Sequence, residues 1–366
     1  MAFLHFDSLG VAALAGAVPD FIQHIPEAPD HPRAAYIKNF VRQTGVRQRH
    51  ISVTEQTASD YAYAAVTAAL DRAGWDAHSL DGLVFLTQTP DFNAATGNSF
   101  ILHKHLGMRE DALVFDIAQG CASFPYGLAV CAGFLQQPGI DRVALLCGDT
   151  MWPRYPNKEA LLAESTFLIG EGSSAMLLEK RPDSPVDAAL FSDGAGYHFL
   201  YDPWAGARHA WRRVPGVMPN GALYEGGPYM DGMEITAFST MRVVESIQQF
   251  LRHIGRTIAD FDGVVLHQAN MQILRTMARR LKVAPEKFPT TVETLANTNG
   301  ASVTLTMVDA YAGRKGPLNL LVSAFGIGLS WGVTSLAIDA GVIVPLIQCA
   351  DRFEEDFLRP VEAATP

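Results

Sequence analysis

Apolar positions recur at helical spacing through residues 61–74, YAYAAVTAALDRAG, the period of an amphipathic helix. The run LDGLVFLTQT follows at once. Its continuous apolar stretch, bounded by turn residues, predicts a buried strand. The same succession returns later: VVESIQQFLRHIG carries helical spacing and leads into FDGVVLHQAN. Both apolar runs open on an Asp-Gly pair, Asp81-Gly82 and Asp262-Gly263. A second correspondence keeps the same order. VALLCGDT precedes IGEGSSAMLLEK, and LNLLVSAFG overlaps GIGLSWGVTSLAID. Each is an apolar strand, a Gly-x-Gly turn and another strand. Two ordered matches predict two βαβ-rich halves related by duplication; the competing reading is a coincidence of common α/β patterns. Alternating strands and helices predict an α/β fold with a mixed or parallel sheet and helices on its faces. The halves span residues 1–180 and 181–350, and residues 351–366 form a polar tail. Residues 196–231, rich in Gly, Pro, Trp and Tyr, predict an irregular excursion of the kind that often covers a site.

Composition narrows the picture. A chain of 366 residues with 48% hydrophobic and 18% charged content is a well-packed globule of two lobes. The net charge of −10 argues against general nucleic-acid binding and leaves room for a local basic patch. No segment offers roughly 18 uninterrupted apolar residues, so no membrane span is expected. The N-terminal stretch lacks a basic leader and reads as a first strand and loop. Cys121, Cys131, Cys147 and Cys349 form no CxxC pair and no metal-ligand spacing. No metal is expected, and reduced thiols fit a cytoplasmic compartment.

Two polar residues, Cys121 and His267, follow apolar runs where such folds place chemistry, at strand ends, and a third, Asn297, lies in a polar turn before a helix. Cys121 follows LVFDI and the turn Gln119-Gly120, and precedes the helix-like SFPYGLAVCAGFL. At a helix N-terminus the macrodipole favours thiolate, although most free cysteines are small buried hydrophobes. His267 leaves the apolar run FDGVVLHQAN. Asn297 lies in the polar turn of TLANTNGASVTL, where a cap or turn role is the plain alternative. Glycines in FGIGLSWG allow backbone N–H groups to approach a ligand.

These segments, with TGVRQRH at residues 44–50, HQAN at 267–270 and NTNGAS at 297–302, resemble the thiolase superfamily. They are most similar to the 3-oxoacyl-[acyl-carrier-protein] synthase III family. The resemblance implies a five-layered αβαβα thiolase-like fold of two duplicated halves and a homodimer. It implies no cofactor beyond substrate thioesters of acyl-carrier protein or coenzyme A. The C-terminal glycine turn holds no second cysteine, and a Cys-His-Asn set points to decarboxylative condensation. By resemblance Cys121, His267 and Asn297 are catalytic, and the N–H groups of Cys121 and Ile327 form an oxyanion hole. Asn270, Gly326 and Gly328 border the substrate. Met233 stands where the family has an asparagine on the pantetheine arm. Ala95 stands near a phenylalanine that shortens the acyl pocket. Asn39, Gln43 and Glu164 replace the tryptophan and two arginines that grip coenzyme A, which implies a donor other than acetyl-CoA in its usual pose. Arg275, Arg279, Arg280 and Lys282 offer an acyl-carrier docking patch. Two other readings stay open: acyl transfer from Cys121 to an oxygen or nitrogen nucleophile, and a non-catalytic subunit of a heterodimer.

Overall fold

The computed structural model of the chain describes residues 2–26, 32–92, 96–150, 166–202, 216–218, 221, 223–224 and 228–353. Two sheets organise it. The first orders its strands β11-β2-β6-β5-β3-β4, where β2 is Gly10–Pro19, β3 Gly82–Leu86, β4 Leu113–Ile117, β5 Arg142–Asp149, β6 Gly172–Glu179 and β11 Ile347–Cys349. The second runs β1-β7-β10-β9-β8, with β1 Ala2–Phe6, β7 Val186–Ser192, β8 Gly263–Leu266, β9 Pro317–Gly326 and β10 Ser330–Asp339.

Four strands of each sheet repeat one pattern. In β2-β6-β5-β3 the first two pairings are antiparallel and the third is parallel. In β7-β10-β9-β8 the same holds. The two Asp-Gly runs are the corresponding strands β3 and β8. The chain nevertheless exchanges its ends. β1 pairs with β7 in the second sheet, and β11 pairs with β2 in the first. Each end strand covers an edge that would otherwise expose unpaired backbone groups, so a cut at residue 180 separates the sheets only in part.

Helices complete five layers. Helices α2 (Ala58–Ala73) and α3 (Asn98–Leu106) cover the outer face of the first sheet. Helices α5 (Val244–His253) and α6 (Met271–Leu281) lie on the second sheet's outer side, where their buried residues join one apolar cluster with those of β8 and β9. Between the sheets lie α4 (Ser123–Leu135) and α7 (Ser302–Tyr311), which contact strands of both. The sequence dictates this. α4 is apolar nearly all round, and α7 is buried from Ser302 to Val308; a helix of that kind needs apolar partners on every side. α5 and α6 carry one apolar stripe and charges opposite, so they cap a sheet. Apolar residues of both sheets and both central helices form one core, including Leu86, Phe124, Leu145, Val265, Leu305 and Val322. Among the described residues no helix is long and apolar enough to cross a membrane.

Candidate active site

The three polar residues converge where the central helices begin. Gly120 adopts φ +60°, a left-handed conformation that a side chain resists. A single turn, Gly120–Ala122, then delivers Cys121 to the amino end of α4. Cys121 is 6% exposed. A Cβ placed on Gly326, at the end of β9, would fall 2.7 Å from the Cys121 Cβ and 3.2 Å from its Sγ. Glycine at 326 therefore keeps the space beside the thiol. On another side the Sγ lies 3.9 Å from Asn299 Oδ1.

His267 directly follows β8, and its N–H donates to Ser323 O at 2.9 Å. Burial lowers its pKa from 6.5 to about 3, because removing water penalises the imidazolium. The ring is neutral. Its Nδ1 lies 2.6 Å from Ser302 Oγ, on the first turn of α7. The Gln268 N–H also reaches that oxygen, at 3.5 Å. A serine hydroxyl that donates to Nδ1 puts the ring proton on Nε2, and its oxygen still has lone pairs for the Gln268 N–H. The ring meets Phe325 edge-on, with centroids 5.2 Å apart, so the neighbour of Gly326 also orients the imidazole.

Asn297 is held as a strap. Its N–H donates to Leu168 O, and its O accepts from the Gly170 N–H, both at 3.0 Å. Arg49 of the TGVRQRH segment is 1% exposed and donates to Thr166 O and Ile169 O, so it anchors the other side of the strap. The Asn297 side-chain oxygen accepts from the Asn299 N–H at 2.9 Å. That bond leaves the amide NH2 as the donor end. Ala296 and Asn299 flank the residue at φ 56° and 48°. Strain of this kind costs roughly 1–3 kcal/mol per residue and is typical of functional sites. Asp149, 1% exposed at the end of β5, ties the halves together. It accepts from Thr87, the Gln88 N–H, Thr89 and the Gly300 N–H.

A cavity of about 460 Å³ opens beside this cluster, bordered by Gln88, Gln119, Gly120, Ser192, Ile327 and Gly328. Ile327 is half-buried there, and a Cβ on Gly120 would lie 3.5 Å from the Ile327 Cβ. The arrangement offers a buried sulfur beside Asn299, which in turn meets Asn297, and a buried imidazole that meets Phe325, the neighbour of Gly326. Such groups suit acyl capture and stabilisation of a developing oxyanion.

Other expected residues lie apart. Asn270 is the N-cap of α6, its side chain accepting from the Ile273 N–H at 2.9 Å. Met233 is 83% exposed on the short helix Gly232–Ala237 and takes no part in the buried cluster. Arg275, Arg279, Arg280 and Lys282 are all exposed on or just past α6. Ala95, Glu164 and most of the 196–231 excursion lie outside the described residues. Cys131, Cys147 and Cys349 are buried. Burial pushes each thiol up, with the Asp149 charge adding to the effect at Cys147. Ser302, Asn299, Asp149 and Arg49 carry supporting roles that the sequence did not assign. Two of them lay inside NTNGAS, but nothing local says which residue a serine or asparagine meets across a chain separation this large.

Fold and site together define a thiolase-like acyltransferase. Family profiles described as 3-oxoacyl-[acyl-carrier-protein (ACP)] synthase III match residues 115–194 and, for its C-terminal part, residues 251–338. A beta-ketoacyl-[acyl-carrier-protein] synthase III of Trichormus variabilis is 30% identical over 300 residues, covering 79% of this chain and 86% of that one. The protein of the same description from Thermosynechococcus vestitus is 32% identical over 296 residues, with 79% and 86% covered. The crystal structure of a 3-oxoacyl-(acyl-carrier protein) synthase from Burkholderia xenovorans superposes with a TM-score of 0.84 at 25% identity, covering 95% of this chain and 99% of that one. The chain belongs to the 3-oxoacyl-[acyl-carrier-protein] synthase III family.

Proposed function

We propose that this protein catalyses a decarboxylative Claisen condensation between an acyl thioester and a malonyl thioester. The observation that supports the reading is that Cys121, neutral His267 and Asn297 are all buried, with Cys121 beside Asn299, which meets Asn297, and beside Gly326, whose neighbour Phe325 meets the His267 ring. In the first half-reaction the Cys121 sulfur attacks the acyl carbonyl, and the donor thiol leaves with the proton. In the second, a malonyl thioester loses CO2, and the electron pair of the broken bond forms an enolate. His267 Nε2–H and the Asn297 NH2 donate to the enolate oxygen. The carbanion attacks acyl-Cys121, a carbon–carbon bond forms, and the cysteine sulfur is released. The N–H groups of Cys121 and Ile327 receive the oxyanion formed in each acyl transfer. A neutral imidazole suits the role, because it donates one hydrogen bond without competing for the malonyl carboxylate.

The donor is an acyl thioester other than acetyl-CoA in its usual pose, in a specialised lipid or secondary-metabolite pathway. Asn39 and Gln43 stand at the positions of the coenzyme A grip and supply neither an indole nor a guanidinium. The protein works as a homodimer served by an acyl-carrier protein, and Asn270, Gly326, Gly328, Met233 and Ala95 border its thioester substrates, with no further cofactor.

Intact-protein mass spectrometry with acyl-CoAs and acyl-carrier proteins tests the first half-reaction. A mass gain of one acyl group, lost in Cys121→Ala, is expected. Release of CO2 from a malonyl thioester tests the second. Acylation without CO2 release would replace condensation by simple acyl transfer.

A further inference from the structure

A buried carboxylate that the proposed chemistry leaves unused stands between the two sides of the site. Asp149 ends β5 in the first sheet and is 1% exposed. Its two oxygens serve different parts of the chain. Oδ1 accepts from the Gln88 N–H at 2.8 Å, from Thr89 Oγ1 at 3.1 Å and from Thr87 Oγ1 at 3.2 Å. Those residues directly follow β3, and Gln88 borders the cavity beside Gly120. Oδ2 accepts from the Gly300 N–H at 3.1 Å, 151 residues further along the chain.

Gly300 lies in the middle of the segment that supplies both enolate donors. Asn297 comes three residues earlier, its side-chain oxygen held by the Asn299 N–H at 2.9 Å. Ser302 comes two residues later, its hydroxyl 2.6 Å from His267 Nδ1. The segment is tightly confined. A Cβ on Gly300 would fall 2.9 Å from Ser123 Oγ and 3.3 Å from both Gly120 O and Asp149 Oδ2. The absence of a side chain thus lets the loop pass between the Cys121 turn and the carboxylate. Ala296 and Asn299 hold positive φ on either side of Asn297, a conformation that persists only where surrounding bonds fix it.

We propose that Asp149 is a positioning residue for decarboxylation, acting through Gly300 to set the directions of the Asn297 amide and the Ser302–His267 pair. The role rests on the proposed condensation, which assigns those two donors to the enolate. A carboxylate can hold both sides at once because it presents two acceptor oxygens. Asparagine presents one oxygen and one NH2. With its oxygen toward the donors that follow β3, its NH2 faces the Gly300 N–H, and donor meets donor. That orientation keeps three of the four bonds. Asp149→Asn should therefore release the loop and leave the cavity wall in place, so that one half-reaction suffers and the other does not.

The test is Asp149→Asn in the full chain, with acylation of Cys121 and CO2 release from a malonyl thioester measured on one preparation. Expressing CO2 release per acylated Cys121 counts folded sites alone. Acylation should be nearly unchanged, while CO2 release falls about tenfold, the worth of one charge-assisted bond. In Asp149→Asn/Asn297→Ala the two losses should be less than additive, because both act on one donor. Gly300→Ala disturbs the same link from the loop side and should also slow CO2 release more than acylation, which keeps the test independent of how well the asparagine variant folds. Equal losses in both half-reactions, additive losses in the double variant, or CO2 release in Asp149→Asn at the intact protein's rate overturns the assignment. Acylation without CO2 release in the intact protein refutes the condensation itself, and the positioning role with it.

Discussion

The buried cluster around Cys121 and the exposed rim around α6 are built on opposite principles. In the cluster almost every polar group is paired: Ser302 with His267, Asn299 with Asn297, and Asp149 with Thr87, Thr89 and two backbone N–H groups. On the rim Arg279, Arg280 and Lys282 stand in solvent. A pre-organised site needs fixed donors, and fixing them requires burial with satisfied partners. A docking rim needs charge and reach, which water-exposed side chains supply at little conformational cost. Substitutions in the two regions should therefore differ in kind. Cluster changes act on kcat, and rim changes act on KM and salt dependence.

The largest effect is expected at His267 and Asn297. Replacing either by Ala should slow decarboxylation of a malonyl thioester by about 10²–10³-fold, with acylation of Cys121 less affected. CO2 release and acyl-enzyme mass, measured on one preparation, would separate the two; equal losses in both steps would refute the division of roles. Next comes Gly326→Ala. Its Cβ would meet Cys121 at 2.7 Å, so about 1–3 kcal/mol of stability should be lost, read by denaturant unfolding, together with slower acylation.

Ser302→Ala should reduce decarboxylation about tenfold, near the worth of one buried hydrogen bond, and Ser302→Thr should restore part of it. A rate unchanged in Ser302→Ala would show that the hydroxyl does not set the ring proton.

The pH dependence of stability follows from the same burial. His267 has a folded pKa near 3 against about 6.5 unfolded. Between those values the unfolded chain binds a proton that the folded chain refuses. Stability is thus full above pH 6.5 and falls as pH drops toward 3. His50, lowered chiefly by its burial, acts in the same direction. From pH 7.5 to 5, His267 alone should remove about 2 kcal/mol, and His267→Gln should flatten the profile by that amount. An identical slope in the variant would disprove the neutral buried ring.

The smallest effect belongs to the rim. Arg279→Ala/Arg280→Ala should raise KM for an acyl-carrier protein a few-fold and weaken its salt dependence, at constant kcat. A fall in kcat with unchanged KM would erase the contrast between rim and cluster.

Much of the fold was legible because periodicity is local. The two Asp-Gly runs became the corresponding strands β3 and β8, and the glycine-bearing turn between Gly326 and Ser330 joined β9 to β10. The exchange of end strands was not legible, since the partners of residues 2–6 lie 180 to 188 residues away. The site divided similarly. Cys121 and His267 followed apolar runs and Asn297 lay in a polar turn, and their order with the family's motifs is what marked the three. Asp149 and Arg49 did not, because a buried carboxylate or guanidinium looks like any other until its partners are known.

The sequence by itself determined the duplicated α/β pattern, the polar residues at strand ends and the family to which they are similar, because each is written in local spacing. Only the tertiary structure decided that His267 is neutral, that Ser302 orients it and that Gly326 keeps space beside the thiol. It also decided that Arg42 and Arg275, on different helices, α1 (Ala34–Thr44) and α6, line one recess. Those properties depend on desolvation and on contacts between residues far apart in the chain, and neither quantity has a value until the layers close.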